Sequence, residues 1–177
     1  MKKYLVVGNP INHSLSPLIH NLWIKENNIK SIYDSQKLNS QDLKKLILSI
    51  REGKISGANI TVPFKRDIIS FLDKLSPEAK DTQSVNTIYL KDNEITGHNT
   101  DVIGFKKSIE DIRFNVAGKK ILILGAGGVV PSIIYALNKM KASQIMISNR
   151  TKSKASDLKK LFKNLNIFSW GDLPDFD

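Results

Sequence analysis

The sequence predicts an α/β fold: a mostly parallel α/β domain at residues 1–101, a connecting helix and linker at 102–115, and the first part of a second α/β domain at 116–177. Three observations predict it. Strand-like and helix-like stretches alternate from Tyr4 to Leu72, which argues for parallel strands joined by helical crossovers. A later apolar strand, Lys119 to Leu124, runs into Gly125-Ala126-Gly127-Gly128 and then into a helical pattern. A hydrophobic content of 41% with 25% charged residues is that of a globular chain.

Tyr4-Leu5-Val6-Val7-Gly8 reads as a short strand ended by the turn Gly8-Asn9-Pro10. In His13-Ser14-Leu15-Ser16-Pro17, Ser16 is expected as a helix N-cap and Pro17 as the first helical residue; Leu18, Ile19, Leu22 and Trp23 mark a helix to about Asn27. Ser14 and Ser16 then lie in a strand-to-helix loop, where open α/β sheets bind ligands, so both hydroxyls are candidate contacts. The competing reading leaves Ser16 a cap and nothing more. Ile32 to Leu38 is a second strand, and Asn39 or Ser40 caps a helix whose Leu43, Leu46, Ile47 and Ile50 share one face before Gly53 stops it.

Asn59-Ile60-Thr61-Val62-Pro63-Phe64-Lys65 joins a strand, a break and an oddly placed lysine. Gly57 to Val62 is a strand that Pro63 ends, and Lys65 to Leu72 has helical spacing at Ile68, Ile69 and Leu72. Lys65 and Arg66 are then expected in a first helical turn, where the positive end of the helix disfavours them by about 0.3 kcal/mol or more unless an anion is near. Lys65 is therefore the candidate catalytic residue, against the alternative of a solvated surface lysine.

Ser76-Pro77-Glu78 opens a short helix. Ser84 to Leu90 is a strand, turned by Lys91-Asp92-Asn93-Glu94 into Ile95 to Asn99 as a hairpin. At Asn99-Thr100-Asp101 a helix begins, with Phe105, Ile109 and Ile112 on one face. Asp101 serves there either as a cap or dipole partner, or, within reach of Lys65, as the group that orients the ammonium for proton transfer.

The strand ending at Leu124 is followed by a helix with Val130, Ile133, Ile134 and Leu137 on one face, so Gly125 to Val129 form a dinucleotide-binding turn of Rossmann type. Val130 stands at the third fingerprint position, where Gly or Ala is usual, which predicts looser packing of helix on strand. The next strand, Gln144 to Ser148, ends in Asn149-Arg150-Thr151 with Lys154 behind it. No acidic side chain is there to hold a ribose 2′-hydroxyl. Arg150, Thr151 and Lys154 suit a 2′-phosphate instead, so NADP is the expected cofactor; Thr151 also fits as a cap for the helix holding Leu158, Leu161, Phe162 and Leu165. A third strand is expected near Ile167-Phe168.

Other function classes are disfavoured. No apolar run approaches the ~20 residues of a membrane span, and Met1-Lys2-Lys3 leads straight into a strand, so a cytoplasmic protein with no membrane partner is expected. There are zero cysteines, which excludes disulfides and thiolate chemistry, and His13, His20 and His98 have no metal-ligand spacing, so no metal is expected. The net charge is +10; residues 1–101 carry 14 of the 27 basic and 11 of the 17 acidic side chains, which puts most of the excess in the second part. The lysines fall on polar helix faces without interleaved aromatics, so no nucleic-acid partner is expected.

Gly8-Asn9-Pro10 with His13 to Pro17, then Asn59 to Lys65, Val85-Asn86-Thr87, Asn99-Thr100-Asp101, Gly125 to Gly128 and Asn149-Arg150-Thr151, in that order, resemble the shikimate dehydrogenase family from residue 4 onward. The resemblance implies a substrate-binding and catalytic domain followed by a Rossmann-type NADP domain, and the reversible NADP-dependent reduction of 3-dehydroshikimate to shikimate in aromatic amino-acid biosynthesis. It implies Lys65 and Asp101 as the catalytic pair, with Ser14, Ser16, Asn59, Thr61, Asn86 and Asp101 around the substrate. Gly125, Ala126, Gly127, Gly128 and Val129 fall to the pyrophosphate, and Asn149, Arg150, Thr151 and Lys154 to the 2′-phosphate. Gln83-Ser84 departs from the small Gly-Ala pair common before Val-Asn-Thr.

The family continues beyond this length, through the nicotinamide side of the pocket, a tyrosine and a glutamine for substrate, and a returning helix. Asp175-Phe176-Asp177 reads as the start of the next strand, so the chain is expected to be a fragment or an early-ended product. Taken as a whole protein, its second sheet has an open edge that invites association, as in a homodimer. Two alternatives stand beside the main reading: a quinate/shikimate dehydrogenase of the same family, and a non-catalytic ligand-binding product.

Overall fold

The computed structural model describes all residues, Met1–Asp177, and the chain divides into two compact units, Met1–Asn99 and Thr100–Asp177. The first unit contains β1 (Lys2–Gly8), α1 (Ser16–Glu26), β2 (Ser31–Lys37), α2 (Leu43–Arg51), β3 (Gly57–Ile60), β4 (Lys74–Leu75), α3 (Pro77–Thr82), β5 (Thr87–Lys91) and β6 (Glu94–His98). Its sheet runs β2-β1-β3-β5-β6-β4. β1 pairs parallel with β2 and β3, and β4 with β6; β5 is antiparallel to both β3 and β6. The hairpin turn between β5 and β6 carries Asp92 and Asn93 at φ 51 and 63, the left-handed pair that a two-residue hairpin loop of matching twist requires.

The expected apolar face of α2 is the one buried: Leu43, Leu46, Ile47 and Ile50 pack with Leu5, Val7, Ile60, Phe64, Ile68, Ile88 and Ile95. A 3₁₀ turn, Ser40–Asp42, leads into α2, and the Asn39 N–H donates to Asp42 Oδ2 at 3.0 Å in a capping box. In contrast, α1 buries no residue, and its Leu18, Leu22 and Trp23 are 72%, 52% and 52% exposed. It is held instead through Asn21, whose amide donates to the Tyr33 carbonyl at 2.7 Å while its Oδ1 accepts the Tyr33 N–H at 3.0 Å, and through His20, stacked on the Tyr33 ring.

Two local expectations change. Ser16 is not the N-cap of α1: Leu15 occupies that position in right-handed helical conformation, and Ser14 Oγ accepts the Ser16 N–H at 3.3 Å, so the helical conformation starts earlier than a Ser16 cap allows. Nor does Lys65 open a helix. It lies in the turn before a short 3₁₀ helix, Asp67–Phe71, because seating Phe64 and Ile68 in the core, at 1% and 0% exposure, takes precedence over regular α-helical phase. The helix-end charge argument for Lys65 therefore fails, and its case rests on the geometry described below.

The Gln83-Ser84 departure has a structural cost. Gln83 ends α3 at φ 48, a conformation that favours glycine, and the buried Ser84 Oγ has no hydrogen-bond partner. A buried unpaired hydroxyl costs on the order of 1–3 kcal/mol. Ser84→Ala is therefore expected to raise the urea midpoint of the first unit by about 1 kcal/mol equivalent; an unchanged or lower midpoint would show that the hydroxyl is satisfied.

The second unit holds α4 (Asp101–Asp111), β7 (Lys120–Leu124), α5 (Val130–Lys139), β8 (Gln144–Ser148), α6 (Lys152–Leu161) and β9 (Asn166–Phe168), with the parallel sheet β7-β8-β9. Phe105 and Ile109 of α4 pack against a core of Val116, Val130, Ile134, Leu137, Ile145, Ile147, Ala155 and Leu165. So α4, expected as part of a connector at 102–115, belongs to this unit, while Ile112, expected on the same face, is 69% exposed. Val130 is 6% exposed within that core, so the larger residue is accommodated at the fingerprint position. Asp175–Asp177 form no strand, although the Asp177 N–H donates to the Lys120 carbonyl at 3.0 Å. No helix is long and apolar enough to cross a membrane.

Candidate active site

Strand direction gathers the first set of residues. β1 and β3 are parallel, so their carboxyl ends point the same way; β5 is antiparallel to β3, which places its start beside the end of β3, with Asn59 opposite Thr87. Thr87 in turn faces His98 at the end of β6. The Gly8–Ser16 loop, Thr61–Lys65, Asn86 and Asn99 thus extend from one end of one sheet, the end at which open α/β sheets bind ligands. Ser14, Ser16, Asn59, Thr61, Lys65 and Asn86 are all half-buried, neither locked in the core nor on open surface.

Backbone bonds hold these loops in place. The Thr61 N–H donates to the Val7 carbonyl at 2.9 Å and the Asn9 N–H to the Val62 carbonyl at 3.0 Å. The crossing is so close that a Cβ on Gly8 would lie 2.5 Å from Thr61 Cγ2 and 2.9 Å from the Val62 carbonyl, so only glycine fits there. The Asn9–Pro10 and Val62–Pro63 peptides are cis. The Lys65 carbonyl accepts the Val85 N–H at 2.8 Å, the Ile60 N–H donates to the Asn86 carbonyl at 2.9 Å, and the Asn86 N–H donates to the His98 carbonyl at 3.0 Å. Lys65 and Asn86 are thereby tied to each other's strands, with buried Phe64 as the adjoining anchor.

The Asn59 carboxamide is engaged within the protein. Its Oδ1 accepts from the Tyr33 hydroxyl, and its Nδ2 donates to the Asn86 carbonyl at 3.2 Å and to Thr87 Oγ1 at 3.1 Å; Thr87 Oγ1 donates to Asn86 Oδ1 at 3.1 Å. Burial pushes the Tyr33 phenol up to about 12. Tyr33 and Thr87 were not singled out by sequence reasoning. Thr87 stands inside the Val-Asn-Thr motif without a role of its own, and a tyrosine on an inward strand position reads as core. Asp101 opens α4 and lies in the second unit, with Thr100 at the N-cap position.

In the second unit, β7 ends in Gly125 at φ +106, whose N–H donates to the Ser148 carbonyl at 2.8 Å. Asn149 braces two loops: its Oδ1 accepts the Ala126 N–H at 3.0 Å and its Nδ2 donates to the Thr151 carbonyl at 2.7 Å. Arg150, Thr151 and Lys154 are exposed beyond it, and Thr151, at the N-cap position of α6, makes no side-chain cap bond. A Cβ built on Gly125 or Gly127 would meet nothing within 4 Å, so the loop before α5 is open to a bound group. An open glycine turn between a parallel strand and a ten-residue helix, with cations at the end of the next strand, fits the pyrophosphate and 2′-phosphate of NADP. A cavity of about 650 Å³, lined by Asn138, Gln144, Phe162 and Asn166 among others, lies elsewhere, at the amino ends of β8 and β9. It is set apart from the glycine turn, which is where dinucleotide chemistry belongs.

Comparison with known proteins matches both units. Residues 6–88 match the shikimate dehydrogenase substrate binding domain, and residues 107–175 match the shikimate / quinate 5-dehydrogenase family. The chain is 56% identical to the NADP(+) shikimate dehydrogenase of Pelagibacter ubique over 99% of its own length and 66% of the relative's. The crystal structure of shikimate dehydrogenase from Aquifex aeolicus superimposes with a TM-score of 0.87 at 39% identity, covering 95% of this chain and 62% of that one. The Thermus thermophilus shikimate 5-dehydrogenase in complex with NADP(H) and shikimate gives 0.85 at 28% identity, over 95% and 63%. The chain thus spans somewhat less than two thirds of these relatives.

Proposed function

This chain belongs to the shikimate dehydrogenase family, and we propose that it supplies that family's substrate-binding and proton-transfer machinery for the reversible NADP-linked reduction of 3-dehydroshikimate to shikimate. The observation that carries the reading is the convergence of Ser14, Ser16, Thr61, Lys65 and Asn86 at one end of the first sheet, on loops pinned by backbone bonds. Hydroxyls, an amide and an ammonium held this way match a small polyhydroxy acid. Lys65 gives a proton to the substrate carbonyl oxygen or holds the developing oxyanion, and Asp101 is the carboxylate assigned to the same chemistry. Asn59 serves as the wall that carries Asn86. When bound, NADPH supplies the hydride that reaches the carbonyl carbon. Gly125, Ala126, Gly127, Gly128 and Val129 hold its pyrophosphate, and Arg150, Thr151 and Lys154 its 2′-phosphate, with Asn149 bracing both loops.

The direct test is shikimate oxidation by the 177-residue chain, followed by NADPH absorbance, beside calorimetric titration with shikimate. Turnover supports the enzyme. Binding without turnover assigns the chain the role of a ligand-binding product, and no binding at all ends the reading. The same calorimeter checks the cofactor: Arg150→Ala is expected to weaken NADP by about tenfold or more, the worth of a charge-assisted contact, and NAD by under threefold. Equal losses for both nucleotides would remove Arg150 from the phosphate site.

A further inference from the structure

We infer that Thr82 is a positioning residue: its buried hydroxyl pins α3 to the end of β6, so that the segment from Thr82 to Asn86 is held between Asn99 and Lys65. The inference rests on the proposed function only in taking Lys65 and Asn86 as site residues. Thr82, Ser84 and Asn99, at 0%, 3% and 1% exposure, are the buried polar side chains of the first unit, and they lie on two adjoining stretches of chain. Polar groups are costly to bury, so their collection in one place calls for a reason beyond packing.

A threonine hydroxyl has one hydrogen and two lone pairs. The hydrogen of Thr82 goes to the Glu78 carbonyl at 2.6 Å, one turn back in α3, so Oγ1 meets Asn99 as an acceptor and takes a hydrogen from Asn99 Nδ2 at 2.9 Å. The other end of α3 is fastened to the same stretch, because the Ser76 N–H donates to the Gly97 carbonyl at 2.9 Å. From α3 the chain passes through Gln83, at φ 48 and ψ 41, and Ser84. It then reaches Val85, whose N–H donates to the Lys65 carbonyl at 2.8 Å, and Asn86, whose N–H donates to the His98 carbonyl at 3.0 Å. A left-handed glutamine and an unpaired buried Ser84 hydroxyl are unfavourable in themselves, and such a segment keeps its course only where its surroundings fix it. Thr82 fixes its start, and the Lys65 carbonyl fixes its end. Packing leaves little slack between them: a Cβ on Gly97 would lie 3.0 Å from both Val85 Cγ2 and Leu75 Cδ2. Loss of the Thr82 hydroxyl takes one acceptor from the buried Asn99 amide and lets the segment relax, which moves the backbone at Lys65 and Asn86.

The test compares, in the 177-residue chain, Thr82→Val, which keeps the shape and removes the hydroxyl, with Thr82→Ser, which keeps the hydroxyl. In the ligand-free protein the backbone ¹⁵N–¹H signals of Val85 and Asn86 are expected to shift in Thr82→Val and to stay near native in Thr82→Ser. Those of β2, at the far edge of the sheet, are expected to stay in place in both. Shikimate affinity by calorimetry is expected to fall about 3- to 10-fold in Thr82→Val, the worth of one hydrogen bond, and under twofold in Thr82→Ser. In an Asn99→Ala background Thr82→Val is expected to cost less than about twofold more, because the hydroxyl acts through Asn99. Native-like affinity or unmoved Val85 and Asn86 signals in Thr82→Val overturn the positioning role. So does a loss in Thr82→Ser equal to that in Thr82→Val, an undiminished further loss in the Asn99→Ala background, or a β2 shift as large as that of Val85. Should Thr82→Val not fold, Asn99→Ala is read in its place, with moved signals and weaker binding expected and native-like values overturning the role. If the native chain binds no shikimate, the proposed function fails on its own, and the Val85 and Asn86 signals alone decide: unmoved signals in Thr82→Val overturn the pin.

Discussion

Lys65→Ala is expected to lower NADP-linked shikimate oxidation by about 10²- to 10⁴-fold, the usual share of a positioned proton-transfer group, while the KM for shikimate changes only a few-fold. The measurement is best made in a chimera in which the last third of the Pelagibacter ubique relative follows Asp177, since that relative is 56% identical across nearly all of this chain. The split between kcat and KM follows from the division of labour at the site. In the proposed function Ser14, Ser16, Thr61 and Asn86 hold the ground state, whereas a proton donor or oxyanion partner acts chiefly in the transition state. Near-normal kcat would remove Lys65 from the chemistry. A large rise in KM at unchanged kcat would make it a binding residue instead.

Phe64→Ala is expected to destabilise the first unit by about 3–5 kcal/mol, the range for deleting a fully buried aromatic ring. Phe64 is 1% exposed and packs in the cluster that includes Ile60, Ile68 and Ile88. The loss is best read by urea denaturation followed on Trp23, with Trp170 replaced by Phe so that one unit reports. A second consequence is particular to this protein. Phe64 is the anchor between Thr61, whose carbonyl accepts the Phe64 N–H at 2.9 Å, and Lys65, so shikimate affinity should fall even under conditions where the variant is folded. A loss below about 1.5 kcal/mol would mean that the core collapses around the gap.

Elements with strong periodicity were legible because one physical rule governed each. α2 buries the four residues its spacing marks, Ser76 caps α3 by accepting the Ala79 N–H at 3.2 Å, and the hairpin turn at Asp92-Asn93 follows from residues that tolerate positive φ. The errors arose where two rules competed. At Lys65 to Leu72 the helical spacing was real, but burying Phe64 and Ile68 in a short connection gave a 3₁₀ turn. At Ser16 the capping preference was real, but Leu15 adopted helical dihedrals first. The two-residue β4 had no sequence signal, because so short a strand has no period to show.

The candidate site divides in the same way. Its residue types and their order along the chain follow from local chemistry: a glycine turn after an apolar strand, a cationic end to the next strand, and hydroxyls and a lysine at strand ends. By itself the sequence determined the α/β class, the second unit as a nucleotide-binding type and which loops carry polar side chains, since these depend on periodicity and turn chemistry within a few residues. Only the tertiary structure decided that β5 runs antiparallel to β3 and so brings Asn86 beside Ile60. It also decided that Gly8 must lack a side chain because Thr61 crosses it, and that Tyr33 reaches Asn59 from β2, across β1 in the same sheet. These are contacts between residues 26 to 53 positions apart, and no local preference encodes which distant partner a buried polar group will find.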